Sequence, residues 1–432
     1  MTIELRKFPY PYQAALTICS DIDGTSLENF IEIHKFLNTN QNTLLGPGLK
    51  LPIGDSFWMY DSPEIVDHAF SYFKNLRGTP SPAATIIRDF IKAGILDVMH
   101  SYGNFETIGD FSRPLASQAL EELEKHGLKI DVWTNHGGLE SVQNIGQNSP
   151  GKGDINLGDI TQFYHSDLLL NYGIKFYWDN EASLMTNVGQ DCPAKFSDAY
   201  WQSPLYQGWR SRLKSMIKGV ASWADHRLYP ITNTHYVPWK KFDSKNELIL
   251  SDTLRDSNNI YKFKRYGHGR FDWSDNLPYL LNDKVLAKLL SNKGFLILYI
   301  HLGDRKNPQD SLPLSVETTD TLRKIAQLYH SNKLWVTTTA RLLKYNLMKK
   351  ALKWTVKEED QTTRIYINGI LTHLENYQLL EEDLAGLTFC IPDDTKIELF
   401  FKNRPLFFYK NSVDSQGRYS ITVPIPELEW PL

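Results

Sequence analysis

The stretch Ala15-Leu16-Thr17-Ile18-Cys19-Ser20-Asp21-Ile22-Asp23-Gly24-Thr25 decides how this chain is read. An apolar run of strand length passes without a break into two carboxylates and a glycine. The same transition recurs three times. Ile95–Met99 (ILDVM) runs into His100-Ser101-Tyr102-Gly103-Asn104, Lys129–Thr134 (KIDVWT) into Asn135-His136-Gly137-Gly138, and Phe295–Ile300 (FLILYI) into His301-Leu302-Gly303-Asp304. Ile174–Trp178 and Leu334–Thr337 are further strand candidates. Helices are predicted between them: Pro114–His126 after Ser112 and before Gly127, Asp283–Lys293 before Gly294, and Ser315–Ser331. This alternation through about residue 345 predicts an α/β fold with a parallel sheet, open or closed into a (β/α) barrel with its helices outside. Functional residues then gather at the C-terminal ends of the strands, where the four polar runs lie.

Working outward, residues 190–280 break the rhythm with many aromatics and with Pro204, Pro230 and Pro238, which predicts insertions and substrate-facing loops. Beyond a helix near Thr338–Lys350 the texture changes to strand-length runs: Arg364–Ile367, Leu387–Ile391, Lys396–Phe401, Leu406–Tyr409 and Tyr419–Val423. The expected organisation is a (β/α) domain over residues 1–350 with insertions near 190–280, followed by a small all-β, sandwich-like annex over 351–432.

The chain has 432 residues, of which 41% are hydrophobic and 22% charged, close to globular averages. Long disorder and collagen-like repeats are excluded. Forty-seven Lys and Arg face fifty Asp and Glu with no basic stripe, so nucleic acid is not an expected partner. Cys19, Cys192 and Cys390 are odd in number and far apart, which gives neither a disulfide framework nor a zinc ribbon. With no secretory leader and no apolar run long enough for a membrane span, a cytoplasmic protein is expected. The supply of aromatics, 11 Trp, 22 Tyr and 21 Phe, suits stacking on sugars as well as core packing. Oligomeric state is not legible.

The polar runs carry the chemistry. If the first strand persists, Asp21 and Asp23 project to one face, and Gly24 permits a sharp exit. One carboxylate could hold a metal and the other act as a base; the bland reading is that they cap a helix starting near Leu27 or satisfy loop amides. His100, His136 and Asp23 together are the nitrogen and carboxylate donors that suit zinc or another divalent first-row metal. His301 follows the most apolar strand and suits protonation of a leaving group, the alternative being a core histidine bonded to backbone.

With those residues quoted, the four segments resemble the polysaccharide deacetylase superfamily, carbohydrate esterase family 4 or NodB-like, over roughly residues 10–345. The resemblance implies a distorted (β/α) barrel that removes N- or O-acetyl groups from sugars with a divalent metal; zinc is the expected ion here. Asp21-Ile22-Asp23-Gly24 is similar to the first motif, Thr-Phe-Asp-Asp-Gly, with Asp21 assigned as base and Asp23 as ligand, or the reverse. His100-Ser101-Tyr102-Gly103-Asn104 is similar to His-Ser/Thr-x-x-His, with Asn104 in place of the second metal-binding histidine. An amide oxygen is a weaker ligand than imidazole. His136 is inferred to supply the nitrogen, with Asn104 a possible further ligand. Leu296 to His301 is similar to the last motif, which ends in the general acid. Trp133, Asn135 and Trp178, near strand ends, are candidate sugar contacts, although core packing also accounts for the tryptophans. Arg270 could orient a carboxylate or the catalytic aspartate, the alternative being a loop salt bridge. The expected activity is metal-dependent hydrolysis of an acetyl (N-acyl) group on a saccharide intermediate of polysaccharide biosynthesis. The rivals are a non-catalytic carbohydrate-binding protein on the same fold and a metal-free glycosidase using Asp21 with Asp179 or Glu181.

Overall fold

A computed structural model describes residues 3–60, 69–105, 111–137, 141–180 apart from 148 and 150, 189–192, 246–306 apart from 268 and 270, and 311–432 apart from 375–376, 393–395 and 415; between 193 and 245 only 209, 213, 217, 220 and 224 are described. In chain order the strands are β1 (Glu4–Leu5), β2 (Ala14–Ser20), the hairpin β3 (Asn42–Thr43) and β4 (Gly46–Pro47), β5 (Asp55–Tyr60), β6 (Ser71–Phe73), β7 (Leu96–His100), β8 (Val132–Thr134), β9 (Phe176–Trp178), β10 (Ile249–Thr253), β11 (Asn259–Phe263), β12 (Phe295–Ile300), β13 (Leu334–Val336), β14 (Leu352–Glu359), β15 (Thr362–Ile370), β16 (Thr388–Ile391), β17 (Lys396–Phe401), β18 (Arg404–Pro405), β19 (Tyr409–Asn411) and β20 (Tyr419–Thr422).

The fold is mixed α/β with parallel sheets. A seven-stranded sheet runs in the order β10-β11-β9-β8-β7-β5-β6, parallel throughout except for the edge strand β10. A three-stranded parallel sheet has the order β12-β2-β13. The expectation of a barrel is corrected to this extent: no ladder closes the two sheets into one ring among the described residues. Isolated bridges, Tyr266 to Leu298 and Trp273 to His301, join the chain beyond β11 to β12 instead.

Both sheets nevertheless face a common interior. Ala15 and Cys19 from β2, Val98 from β7, Val132 from β8, Phe176 from β9, Phe263 from β11 and Ile297 from β12 meet in one apolar cluster. The alternate residues Leu16, Ile18, Leu296 and Leu298 pack in a second cluster with Phe36, Leu286, Leu289, Leu322 and Ile325 of the helices. This period-two division settles which side chains reach the strand-end site.

The helices form where apolar periodicity meets a good start signal. Helices Leu27–Asn38, Asp283–Asn292 and Val316–His330 are capped by the side chains of Ser26, Asn282 and Ser315. Asp283–Asn292 ends on Lys293, whose left-handed backbone has φ of 49°. Gly294 follows with its Cα side against Gly189; a Cβ there would lie 2.4 Å from the Gly189 Cα. No helix among the described residues is long and apolar enough to cross a membrane.

Beyond helix Thr339–Ala351 the described residues form strands and a short turn of 3-10 helix, Glu381–Leu384. Two four-stranded sheets result, β14-β15-β17-β18 and β1-β16-β20-β19. The second borrows β1 from the start of the chain, pairing Glu4 with Cys390. Ile365, Leu399, Phe389 and Ile421 of these sheets belong to the same apolar cluster as the interior of the parallel strands. Most of the expected insertion near 190–280 lies outside the described residues; the part that is described includes the β10–β11 hairpin.

Candidate metal centre

Parity along each strand sets the site. In β2 the inward residues are Ala15 and Cys19, and the same alternation carried two and four residues further reaches Asp21 and Asp23. The ladder supports this register: Ser20 pairs with Ile300, and the Asp21 N–H continues it to the Ile300 carbonyl at 2.9 Å. Val98 leads in the same way to His100, Val132 to Thr134 and His136, Phe263 to Arg265, and Ile297 to Tyr299 and His301.

Three donors converge. Asp23 Oδ2 lies 3.1 Å from His100 Nε2, and its Oδ1 lies 3.1 Å from His136 Nδ1. The two ring nitrogens are 2.9 Å apart. An ion about 2.0–2.1 Å from each of three donors at tetrahedral angles holds them roughly 3.3 Å apart, so this triangle fits zinc with little adjustment. Asp23 Oδ2 is buried between the ring nitrogens of His100 at 3.1 Å and His301 at 3.6 Å without a hydrogen bond of good geometry to either, the surroundings of a ligand rather than of a structural acceptor. Burial alone would raise the Asp23 carboxyl, but His136 and His100 in their protonated forms hold it well below the usual carboxylate range; a metal takes the place of those protons.

The far nitrogen of each histidine is held as well. His136 Nε2 is 2.9 Å from Asn104 Oδ1, and a carbonyl oxygen only accepts, so the proton sits on Nε2 and the Nδ1 lone pair faces Asp23. Asn104 therefore stands behind His136 as an orienting partner, not in the triangle where it was considered as a ligand. His100 Nδ1 is 2.7 Å from Thr134 Oγ1 and 3.6 Å from Asp21 Oδ1, which leaves Nε2 for the metal. Trp58 lies parallel to the His100 ring at 6.1 Å and edge-on to His136 at 5.1 Å, walling the centre on that side.

Asp21, the expected base, is held by a buried arginine. It is 1% exposed, and Arg265 donates from Nη1 to Oδ1 at 2.7 Å and from Nη2 to Oδ2 at 2.8 Å. Arg265 is fully buried, its guanidinium 3.4 Å from the centre of the Trp178 ring and 4.4 Å from that of Tyr299. Trp178 thus serves as the platform for Arg265 rather than as a sugar contact. Sequence reasoning passed over Arg265 for Arg270, which lies outside the described residues. The signal was present, because Arg265 follows β11 as His301 follows β12.

His301 is 13% exposed, and its Nε2 lies 3.6 Å from Asp23 Oδ2. Its Nδ1 is 3.8 Å from Asp272 Oδ2, which also accepts from the Tyr299 hydroxyl at 3.2 Å. Burial raises the Asp272 carboxyl, with His301 acting in the opposite direction. Asp272 and Tyr299 were not singled out in the sequence.

Two other expected sugar contacts have the wrong parity. Trp133 and Asn135 alternate with Thr134 and His136, and both are fully buried. Trp133 packs against Tyr102 and His165 and donates from Nε1 to Asn135 Oδ1 at 2.9 Å. Asn135 also bonds the Ile145 backbone through both amide atoms, tying down the loop after β8. Asp179 is buried and bonded to Lys262 at 3.2 Å, while Glu181 lies outside the described residues.

No family model matches the chain, and no curated protein matches it. Three chains of solved structures match, among them an endo-β1,6-glucanase, at 10% identity and a TM-score of 0.32 over 98% of this chain and 94% of that one.

Proposed function

We propose that this protein is a metal-dependent hydrolase that removes an acetyl or related acyl group from the nitrogen of a saccharide, on a strand arrangement of the polysaccharide deacetylase type. The observation that carries the proposal is the convergence of Asp23, His100 and His136, with the far nitrogens pinned by Asn104 and Thr134, beside a partly exposed fourth residue, His301. Asp23, His100 and His136 would hold a divalent cation, zinc by the chemistry of the donor set. Such a cation, when bound, supplies Lewis acidity to a water molecule and to an acyl carbonyl.

The chain's own residues manage the rest. His301, next to Asp23 and open to the substrate side, accepts the proton that the attacking water sheds and returns it to the departing nitrogen. Asp272 lies on the Nδ1 side of that ring, 3.8 Å away, and orients it. Asp21, with both oxygens on the buried Arg265 fork, keeps the ends of β2 and β11 together and places negative charge behind His100. The substrate class rests on the sequence resemblance and on the aromatic supply of the chain.

The test is elemental analysis of purified protein, with acetate release from N-acetylated amino sugars before and after chelation. We expect one equivalent of metal, lost in His100→Ala and His136→Ala, and release that chelation stops and zinc restores. His301→Ala should keep its metal and lose roughly 10²–10⁴-fold in kcat. Protein that takes up no added zinc would overturn the proposal, and saccharide binding by such protein would reassign it as a carbohydrate-binding protein.

A further inference from the structure

A second cavity lies at the opposite end of the parallel strands. It has a volume of about 580 Å³ and is lined by the segment leading from β1 into β2, by residues just before β12 and β13, and by the loop between β19 and β20. Gln13 and Lys293, which line it, precede β2 and β12, whose other ends carry Asp21 and His301, and Asn332 precedes β13, which pairs with β2. A strand of seven residues spans roughly 20 Å, so this cavity and the metal centre are separate sites.

Its charge is unbalanced. Arg6, Lys7, Lys293 and Lys349 line it, and none of the four pairs with a carboxylate side chain among the described residues. Lys7 donates only to the backbone carbonyls of Asp191 and Lys293, at 2.5 Å each. Arg6 makes one long bond to the Tyr12 carbonyl, 3.5 Å, and its Nη1 is buried with no partner. The acids on the same wall do not offset this. Asp414 is committed to Arg418 and to the backbone N–H groups of Gln416 and Arg418, and Glu4 is exposed. Burial pulls the Lys7 ammonium below its ordinary value; Cys192 and Asp191 act against this and Lys349 and Lys350 with it, and the Asp191 carboxylate is itself bonded to Asn346 and Lys350. Four cations gathered around one cavity repel each other unless an anion enters.

The walls also offer rings. Tyr10 sits under the Arg6 guanidinium at 5.4 Å, and Tyr12 stacks on Tyr329 at 5.6 Å. We propose that this cavity binds a saccharide carrying an anionic group, a carboxylate or a phosphate, with Arg6, Lys7, Lys293 and Lys349 taking the charge and Tyr10 and Tyr12 the sugar ring. The requirement for an anion stands on the cavity alone; the choice of a sugar as its carrier rests on the proposed function.

The test is titration calorimetry on the full chain at low salt with four probes: a trigalacturonate, a hexose 1-phosphate, a neutral trisaccharide and inorganic phosphate. One of the two anionic sugars should bind, the trigalacturonate marking a carboxylated ligand and the hexose phosphate a phosphorylated one. Arg6→Gln and Lys349→Gln should each weaken that binding roughly tenfold with unchanged melting temperature. If Arg6→Gln does not fold, the half-buried Lys349 variant decides. Asp23→Asn should leave this binding intact, so that a failure of the metal centre is read separately. No binding of either anionic sugar, equal binding of the neutral trisaccharide, or inorganic phosphate binding as tightly as the sugars would each overturn the proposal.

Discussion

Asn104 and His136 illustrate how one hydrogen bond assigns a role. Because Asn104 Oδ1 faces His136 Nε2 and not Asp23, replacing it should loosen the imidazole without removing a ligand. We expect Asn104→Leu to lower zinc affinity about 10–100-fold, against loss of binding in His136→Ala, measured by competition with a chromogenic chelator. Arg265 makes the opposite case, a residue whose worth is structural. Removing a buried partner leaves a charge without compensation, so Arg265→Met should destabilise the fold by about 3–5 kcal/mol in urea unfolding. Pairing it with Asp21→Asn should recover part of that loss. A double variant no more stable than Arg265→Met would contradict the reading of Asp21 as an anchor.

At the level of elements, the start of helix Thr339–Ala351 is bound to β7 by a buried carboxylate. Asp97 Oδ2 accepts from the Ala340 N–H at 2.6 Å, whereas its Oδ1 is buried with no hydrogen-bond partner. Burial pushes this carboxyl up to about 7, more than the Ala340 N–H, the Thr338 hydroxyl and Arg341 lower it. The sign follows from proton binding. Between the ordinary value of 3.8 and about 7 the folded state keeps a proton that the unfolded chain has lost. Stability is therefore greatest below that window, falls as pH rises through it, and is flat above it as far as Asp97 is concerned. Asp97→Asn should remove this slope and make the protein more stable than wild type at pH 8, by at most about 4 kcal/mol, with little difference at pH 4. Urea unfolding at the two pH values measures it. The approach of two loops gives a second element-scale expectation. Gly294→Ala places a methyl against the Gly189 backbone and should cost about 1–3 kcal/mol.

For the whole molecule, the tail is not a removable appendage. The sheet β1-β16-β20-β19 includes a strand from the N-terminal segment, and Phe389 and Ile421 share a core with Trp335, Tyr345 and the interior residue Phe176. Cutting after residue 350 would expose that apolar face and leave β1 without its partner. A chain ending there should lose the cooperative thermal transition seen by circular dichroism. A sharp melt with full metal content would show instead that residues 1–350 fold alone.

Sequence by itself determined the elements and the polar ends of the strands. Phe295–Ile300 was legible as a strand at its observed boundaries, and Ala15–Cys19 and Ile95–Met99 were legible to within a residue or so, because short β-rich runs bounded by turn residues carry a local signal. Asp23, His100, His136 and His301 were legible for the same reason, each following such a run. Asp55–Tyr60 was not singled out, since its DSFWMY pattern is fully buried on both faces and shows no alternation. The direction of side chains was partly legible: alternation from His136 would have excluded Trp133 and Asn135 from the site. Tertiary structure alone decided the partners. That Arg265 meets Asp21 across 244 positions, that Asn104 stands behind His136, and that β1 completes a sheet of the tail depend on which strands lie side by side. Such contacts join residues distant in the chain, and their energies come from burial and pairing that no local window of sequence contains.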